Sequence, residues 1–293
     1  MKRKMLVVVA ALVLLPVAAA ALTEEESQQL QEKIDALPWH VGTGEHELRQ
    51  SNAKVSTGEG EAFMDAEAAN EFMRLTQGHD RFLLDGLIYN LDGLQAHSFV
   101  TFEYDETGYV EMDDWDEVID AEGLLDSIQA GTKAATENLA ESYEKFHVDG
   151  WVQEPYLDRD QQVVFWAITG HNDSGQESIN ARALKLGRKG MAMIEWVGAP
   201  EQFESVDVVL TPTLQAFDYQ QGFRYADFDP EVDAVAAVGI GAIAYQMMTG
   251  EAAAGGIVVG ALLLLKKFWW AILIPFAFVM RWLKGRGRGK EAQ

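Results

Sequence analysis

The chain has no cysteine at any of its 293 positions. That excludes disulfides, iron–sulfur clusters, cysteine-ligated zinc and a thiol nucleophile. Whatever fold it adopts is held by packing alone. Short chemical signatures are missing as well: there is no Gly-x-Ser-x-Gly elbow, no His-Glu-x-x-His pair and no Gly-Lys-Ser/Thr phosphate loop. Basic charge is scarce through the body. Residues 24–232 carry 13 Lys and Arg against 43 Asp and Glu, a net of −30. A body of that sign repels nucleic acid and anionic headgroups, and leaves cationic partners and divalent ions open.

Long apolar runs are confined to the two ends, and both ends are basic. Lys2, Arg3 and Lys4 precede the apolar residues 5–17, and residues 18–21 are all alanine. A basic start, an apolar centre and a small-residue close read as a secretory signal over residues 1–21. An uncleaved anchor over residues 5–22 is the rival reading, because that run is close to the length of a span. At the other end residues 234–283 are almost wholly apolar, interrupted by Glu251, Lys266, Lys267 and Pro275. Residues 233–283 are therefore expected to anchor the chain in a membrane in one, two or three passes, with lipid as the partner of those helices. Arg281, Lys284, Arg286, Arg288 and Lys290 put the tail, residues 284–293, on the cytoplasmic side. Gly256 and Gly260 have the spacing that lets two membrane helices approach closely, which offers a route to self-association.

The acidic body, residues 22–232, is expected to be periplasmic and α+β. Residues 24–37 read as a short helix stopped by Pro38, residues 41–60 as loop with one strand at 53–56, and Asp65 as the cap of a helix through Thr76. Val100, Phe102 and Tyr104 alternate as in a strand, and Asp105-Glu106-Thr107-Gly108 predicts a hairpin turn into residues 109–112. Leu124, Leu125, Ile128, Thr132, Ala135, Leu139, Tyr143 and Phe146 recur at three- and four-residue spacing. That predicts one helix of about seven turns entered at Asp120. Two further hairpins are expected, 150–169 through Asp158-Arg159-Asp160 and 178–197 through Gly187-Arg188-Lys189-Gly190. Residues 163–168 are apolar on both faces and read as a covered strand. Three hairpins and one long packed helix predict an α+β fold with an antiparallel sheet, completed by C-terminal membrane helices.

No group of residues stands out as catalytic, cofactor-binding or metal-ligating. Asp113, Asp114, Asp116, Glu117, Asp120 and Glu122 form the densest acid cluster. The EF-hand pattern fails there for want of its glycine, and a solvated helix start explains the acids. His171, Asp173 and Ser174 share one Gly-flanked loop, where turn chemistry is the simpler account than a triad. His40 and His46 lack the spacing and the cysteine partner of a zinc site, and Gly42, Gly44, Gly58 and Gly60 are only fragments of phosphate loops. Arg182, Arg188 and Arg224 are basic in an acidic body; each either pairs with a buried acid or binds an anionic ligand, pairing being the expectation.

Four ordered blocks carry a resemblance: residues 108–125 (GYVEMDDWDEVIDAEGLL), 150–167 (GWVQEPYLDRDQQVVFWA), 179–191 (INARALKLGRKGM) and 222–239 (GFRYADFDPEVDAVAAVG). Together with the Lys-Lys-Phe step at 266–268, they resemble a bacterial family of uncharacterised membrane-anchored proteins, domain of unknown function 2167. Ala181 and Val238 stand where that family usually has tyrosine. The resemblance implies export and C-terminal anchorage, and no activity, cofactor or catalytic residue. The functional expectation is a non-enzymatic adaptor, chaperone-like or binding module at the inner membrane, with an envelope protein as partner. The alternative is an envelope hydrolase or lyase using Asp158, Asp227 and Asp229 beside Arg224 for acid–base work. A third reading is divalent-ion sensing by the acid cluster at 113–122.

Overall fold

The structure is a computed structural model, and it describes residues 23–77, 83–137 and 145–249. Along the chain these residues form α1 (Glu24–Asp35), β1 (His40–Val41), β2 (Gly44–Leu48), β3 (Ala53–Thr57), β4 (Glu61–Asp65), α2 (Ala66–Gln77), β5 (Leu84–Asn90) and β6 (Phe99–Asp105). Then come α3 (Trp115–Val118), α4 (Ala121–Glu137), β7 (Phe146–Asp158), β8 (Val163–Asn172), β9 (Glu177–Leu186) and β10 (Met191–Gly198). The last elements are α5 (Val206–Val209), α6 (Thr211–Ala216), β11 (Phe217–Tyr219) and α7 (Ile240–Thr249).

Local chemistry explains many of the boundaries. Thr23 Oγ1 accepts from the Glu26 amide and the Glu26 carboxylate accepts from the Thr23 amide, a capping box that starts α1. Asp65 Oδ1 accepts from the Ala68 amide and starts α2 as expected. Asp158 Oδ1 accepts from the amides of Asp160 and Gln161, which closes the β7–β8 turn. At the β9–β10 turn Gly187 donates to the Gly190 carbonyl. A side chain at Gly190 would collide with the Asp105 carbonyl, so only glycine fits there.

An eight-stranded sheet runs in the order β1-β4-β5-β6-β10-β9-β8-β7, with every neighbouring pair antiparallel. A second sheet of three strands has the order β11-β3-β2. One face of the large sheet carries Val100, Phe102, Phe165, Ala183, Ile194 and Trp196. It packs against the small sheet through Val55, Phe217 and Tyr219, and against α5 through Val206 and Val209. The other face supports two helical groups. Phe72 and Met73 of α2 and Ile34 of α1 cover β4 and β5. Leu124 and Ile128 of α4, Trp115 of α3 and Ile240, Ile243 and Ala244 of α7 cover Trp166, Leu184 and Met191. The molecule is α+β with antiparallel sheets, and residues 163–168 are covered on both faces, as the apolar run predicts.

Three expectations are corrected. Residues 105–112 form no hairpin: β6 pairs with β5 and β10, and Tyr109 instead makes a parallel bridge to Val235. A local turn signal cannot see that an apolar strand buries more by lying in the middle of a sheet. Residues 41–60 hold parts of three strands, not one; β2 was hidden because its alternate residues are charged and exposed. Phe146 opens β7 and does not extend the long helix, which as described runs to Glu137; Leu139 and Tyr143 lie outside the described residues. Past Val232 the described chain continues to Thr249. Residues 240–249 are apolar because they form α7 and bury Ile240, Ile243 and Ala244 against the sheet side of the core. Among the described residues no helix is long and apolar enough to cross a membrane. The expected membrane segments beyond 250, the signal region, and Gly256 and Gly260 lie outside the described residues.

Candidate functional site

On the helical face, side chains from three central strands point into a strip between the two helical groups, which pack mainly over β4, β5 and β7. The register aligns them. Glu195 of β10 lies opposite both Thr101 of β6 and Arg182 of β9, Met193 lies opposite Glu103, and Val197 opposite Asn180. Because strand residues alternate between faces, Thr101, Glu103, Asn180, Arg182, Met193 and Glu195 all share this side of the sheet. Their neighbours Phe102, Ile194 and Trp196 fill the opposite core, which fixes the register that presents them.

An ion pair centres the strip. Arg182 Nε donates to Glu195 Oε1 at 2.8 Å, with side chains 28% and 14% exposed. Burial opposes the guanidinium charge, but Glu195, its hydrogen bond and Glu103 outweigh it and hold Arg182 firmly protonated. Burial pushes the Glu103 carboxyl up, the Glu195 charge adds to this, and Arg182 opposes it. The amino groups of Arg182 and the side chains of Thr101, Glu103 and Asn180 make no hydrogen bond among the described residues. Hydrogen-bonding groups in such half-buried positions are normally satisfied within the chain or by what sits upon them. The strip therefore offers several N–H donors from one guanidinium, a carboxyl disposed to keep its proton, a hydroxyl and an amide. An acceptor-bearing group, a carboxylate or a carbonyl, fits that set.

The residues singled out from sequence lie elsewhere, with the exception of Arg182. Arg188 Nε donates to Asp233 at 2.7 Å and its Nη1 to the Gly222 carbonyl, and Arg224 pairs with Asp218 at 2.9 Å. All three arginines thus have acidic partners. Two members of the acid cluster do structural work: Asp114 accepts from the Gly241 and Ala242 amides at the start of α7, and Asp116 pairs with Arg159. Among the described residues no three His, Asp or Glu side chains converge as metal ligands. The loop holding His171, Asp173 and Ser174 is the β8–β9 turn, where Ser174 Oγ donates to Asn172 Oδ1 and not to a histidine. His171 instead binds Asp149, Asp173 binds His147, and the two imidazoles stack at 5.1 Å across β7 and β8. His46 stacks on Phe63 at 4.2 Å and contacts Thr57 Oγ1; burial, then His40, lowers its pKa. Asp158, Asp227 and Asp229 accept backbone amides in turns and do not form a shared acidic site. Gly42 donates to the Glu61 carbonyl at a strand end, Gly44 opens β2, and Gly58 and Gly60 lie between β3 and β4.

Sequence reading passed over Thr101, Glu103, Asn180 and Glu195. A signal for two of them existed: Phe102-Glu103-Tyr104 and Ile194-Glu195-Trp196 each set a carboxylate between large apolar residues within a strand. That pattern marks an acid on a sheet face rather than in a turn.

The four sequence blocks quoted above meet one another in space. Tyr109 stacks on Tyr225 at 4.4 Å and on Phe228 at 3.8 Å, and the Tyr225 hydroxyl donates to the Val110 carbonyl. Arg188 ties the third block to the fourth, and Arg159 ties the second to the first by donating to the Met112 carbonyl. No curated protein matches the chain. The solution structure of cyanobacterial PsbP (CyanoP) from Synechocystis sp. PCC 6803 aligns with 61% of this chain and 93% of its own, at 9% identity and a TM-score of 0.37. The family model described as "Protein of unknown function (DUF2167)" matches residues 40–277, most of the length, and the chain belongs to that family.

Proposed function

We propose that this protein is a non-enzymatic binding module of the cell envelope, exported, held at the inner membrane by its C-terminal region, and binding a partner through the polar strip of its larger sheet. The observation that carries the reading is the set of unpartnered hydrogen-bonding groups around the Arg182–Glu195 pair. None of these groups is buried away from water, so an incoming partner can take up their free hydrogen-bonding positions in exchange for water. The matching partner surface carries carboxylate or carbonyl oxygens that cap the Arg182 amino groups. The sequence reasons for export and anchorage are the basic-apolar-alanine start and the apolar, basic-ended close.

The test places a photo-crosslinking residue at Met193, in the middle of the strip, in the full-length chain in living cells. A discrete adduct that disappears with Arg182→Leu is expected. Labelling no stronger than from Lys54, which is exposed on the smaller sheet, would remove this reading.

One observation favours acid–base chemistry at the same place: Glu103 is pushed up beside the charge of Glu195. A carboxyl disposed to keep its proton is what a general acid uses. The hydrolase or lyase alternative accordingly moves from Asp158, Asp227 and Asp229 to Glu103 and Glu195. It predicts that Glu103→Gln abolishes the cellular function while leaving the Met193 adduct intact.

A further inference from the structure

Where β6 ends, the chain turns away from the sheet and residues 108–111 run beside residues 234–240. Tyr109 donates to the Ala234 carbonyl, Ala236 to the Tyr109 carbonyl, and Ile240 to the Glu111 carbonyl. Gly108 makes this approach feasible, with φ at +94° and the Ala234 carbonyl 2.9 Å from where a Cβ would lie. Between this crossing and α7 lies a cavity of about 420 Å³ whose walls include Asp105, Thr107, Val238, Ile243, Gln246 and Met247. The volume is in the range of small-molecule sites.

Two polar groups at the cavity lack partners. Thr107 Oγ1 is buried and has no hydrogen-bond partner, the sole side-chain atom in that condition among the described residues. The carboxylate of Asp105, an exposed residue, accepts no hydrogen bond among the described residues either, and the burial it has pushes its pKa up. The walls contain no Lys or Arg, and the surrounding body is strongly acidic. An anion would meet repulsion from Asp105 and from the whole field, whereas a cation gains from both. Val238, Ile243 and Met247 supply an apolar surface beside the carboxylate.

We propose that this cavity binds a small primary amine in its ammonium form, with the nitrogen donating to the Asp105 carboxylate and with an alkyl body lying on Val238, Ile243 and Met247. It is a second site, independent of the strip: the two share no residue, and neither Arg182 nor Glu195 lines the cavity.

The experiment titrates the full-length chain with hexylammonium, hexanol and hexanoate and follows the Met247 methyl resonance, assigned through Met247→Leu. Hexylammonium is expected to give a saturable shift with roughly millimolar affinity, and the other two probes none. Asp105→Asn should weaken hexylammonium binding by about tenfold or more. Val238→Trp, which fills the cavity, should abolish the shift. Should Val238→Trp fail to fold, the Asp105→Asn comparison decides alone. Hexanol binding as well as hexylammonium, or full affinity in Asp105→Asn, would overturn the proposal. Arg182→Leu should leave the titration unchanged, so failure at the strip and failure at the cavity are separable.

Discussion

Tyr219 joins the two sheets by hydrogen bonding. It is 4% exposed, its hydroxyl donates to the Lys185 carbonyl at 2.8 Å, and it accepts from the Ala192 amide at 2.8 Å. Tyr219→Phe keeps the ring and strands both backbone groups, so it should cost about 1–3 kcal/mol. A lowered urea midpoint at unchanged m value is the expected result; an unshifted midpoint would mean that the hydroxyl is dispensable to the joint. Glu103 makes the opposite case. Burial, then Glu195, raises its pKa above the unfolded value, so the folded chain holds a proton that the unfolded chain has released. Its contribution is full below the unfolded value and is lost as the pH rises through the folded one. Glu103→Gln removes that loss. The variant should melt higher than the parent at pH 8, by about 2–4 °C for each kcal/mol gained, and the two should converge near pH 4. Of the residues in the strip, Arg182 was legible in sequence because a base in a strongly acidic body is conspicuous. Glu103 was one acid among 46 until the sheet placed it beside Glu195.

At the scale of elements, α7 is the informative segment. Ile240 is fully buried against the layer formed by Val110, Trp115, Leu124 and Ile128. Ile240→Asp should therefore cost upwards of about 3 kcal/mol and yield a protease-sensitive chain. Val232→Asp, eight residues earlier and 72% exposed, should change stability by no more than about 0.5 kcal/mol. Equal tolerance at both positions would contradict the packing of α7. Composition alone groups residues 234–249 with the apolar run that follows, since a buried helix and the start of a membrane segment both consist of small and aliphatic residues. Length and partners separate them, and partners are visible only in three dimensions. The hairpins at Asp158–Asp160 and Gly187–Gly190 were readable for the converse reason: their turn chemistry is local, complete within four residues.

For the whole molecule, charge and ends dominate. A body of −30 repels itself, so the melting temperature of the folded unit should rise from 10 mM to 500 mM NaCl as screening shortens from about 30 Å to a few ångströms. A fall would show that specific ion pairs such as Arg188–Asp233 outweigh the global repulsion. The compact unit closes at Gly250. A chain ended there should fold and appear in the soluble fraction, whereas the full chain should stay with carbonate-washed membranes. Retention of the shortened chain would shift anchorage to the N-terminal apolar run. Some of this was determined by sequence alone. Absent cysteine, the acidic body, the apolar basic ends, the α+β class and the turns at Asp158–Asp160 and Gly187–Gly190 follow from composition, periodicity and contacts a few residues apart. Tertiary structure decided the rest: which strands neighbour β6, where residues 234–249 belong, and that Thr101, Glu103, Asn180, Arg182 and Glu195 share one strip. Strand neighbours are chosen by burying both faces of a sheet at once, and that requirement links residues about a hundred positions apart that no local pattern relates.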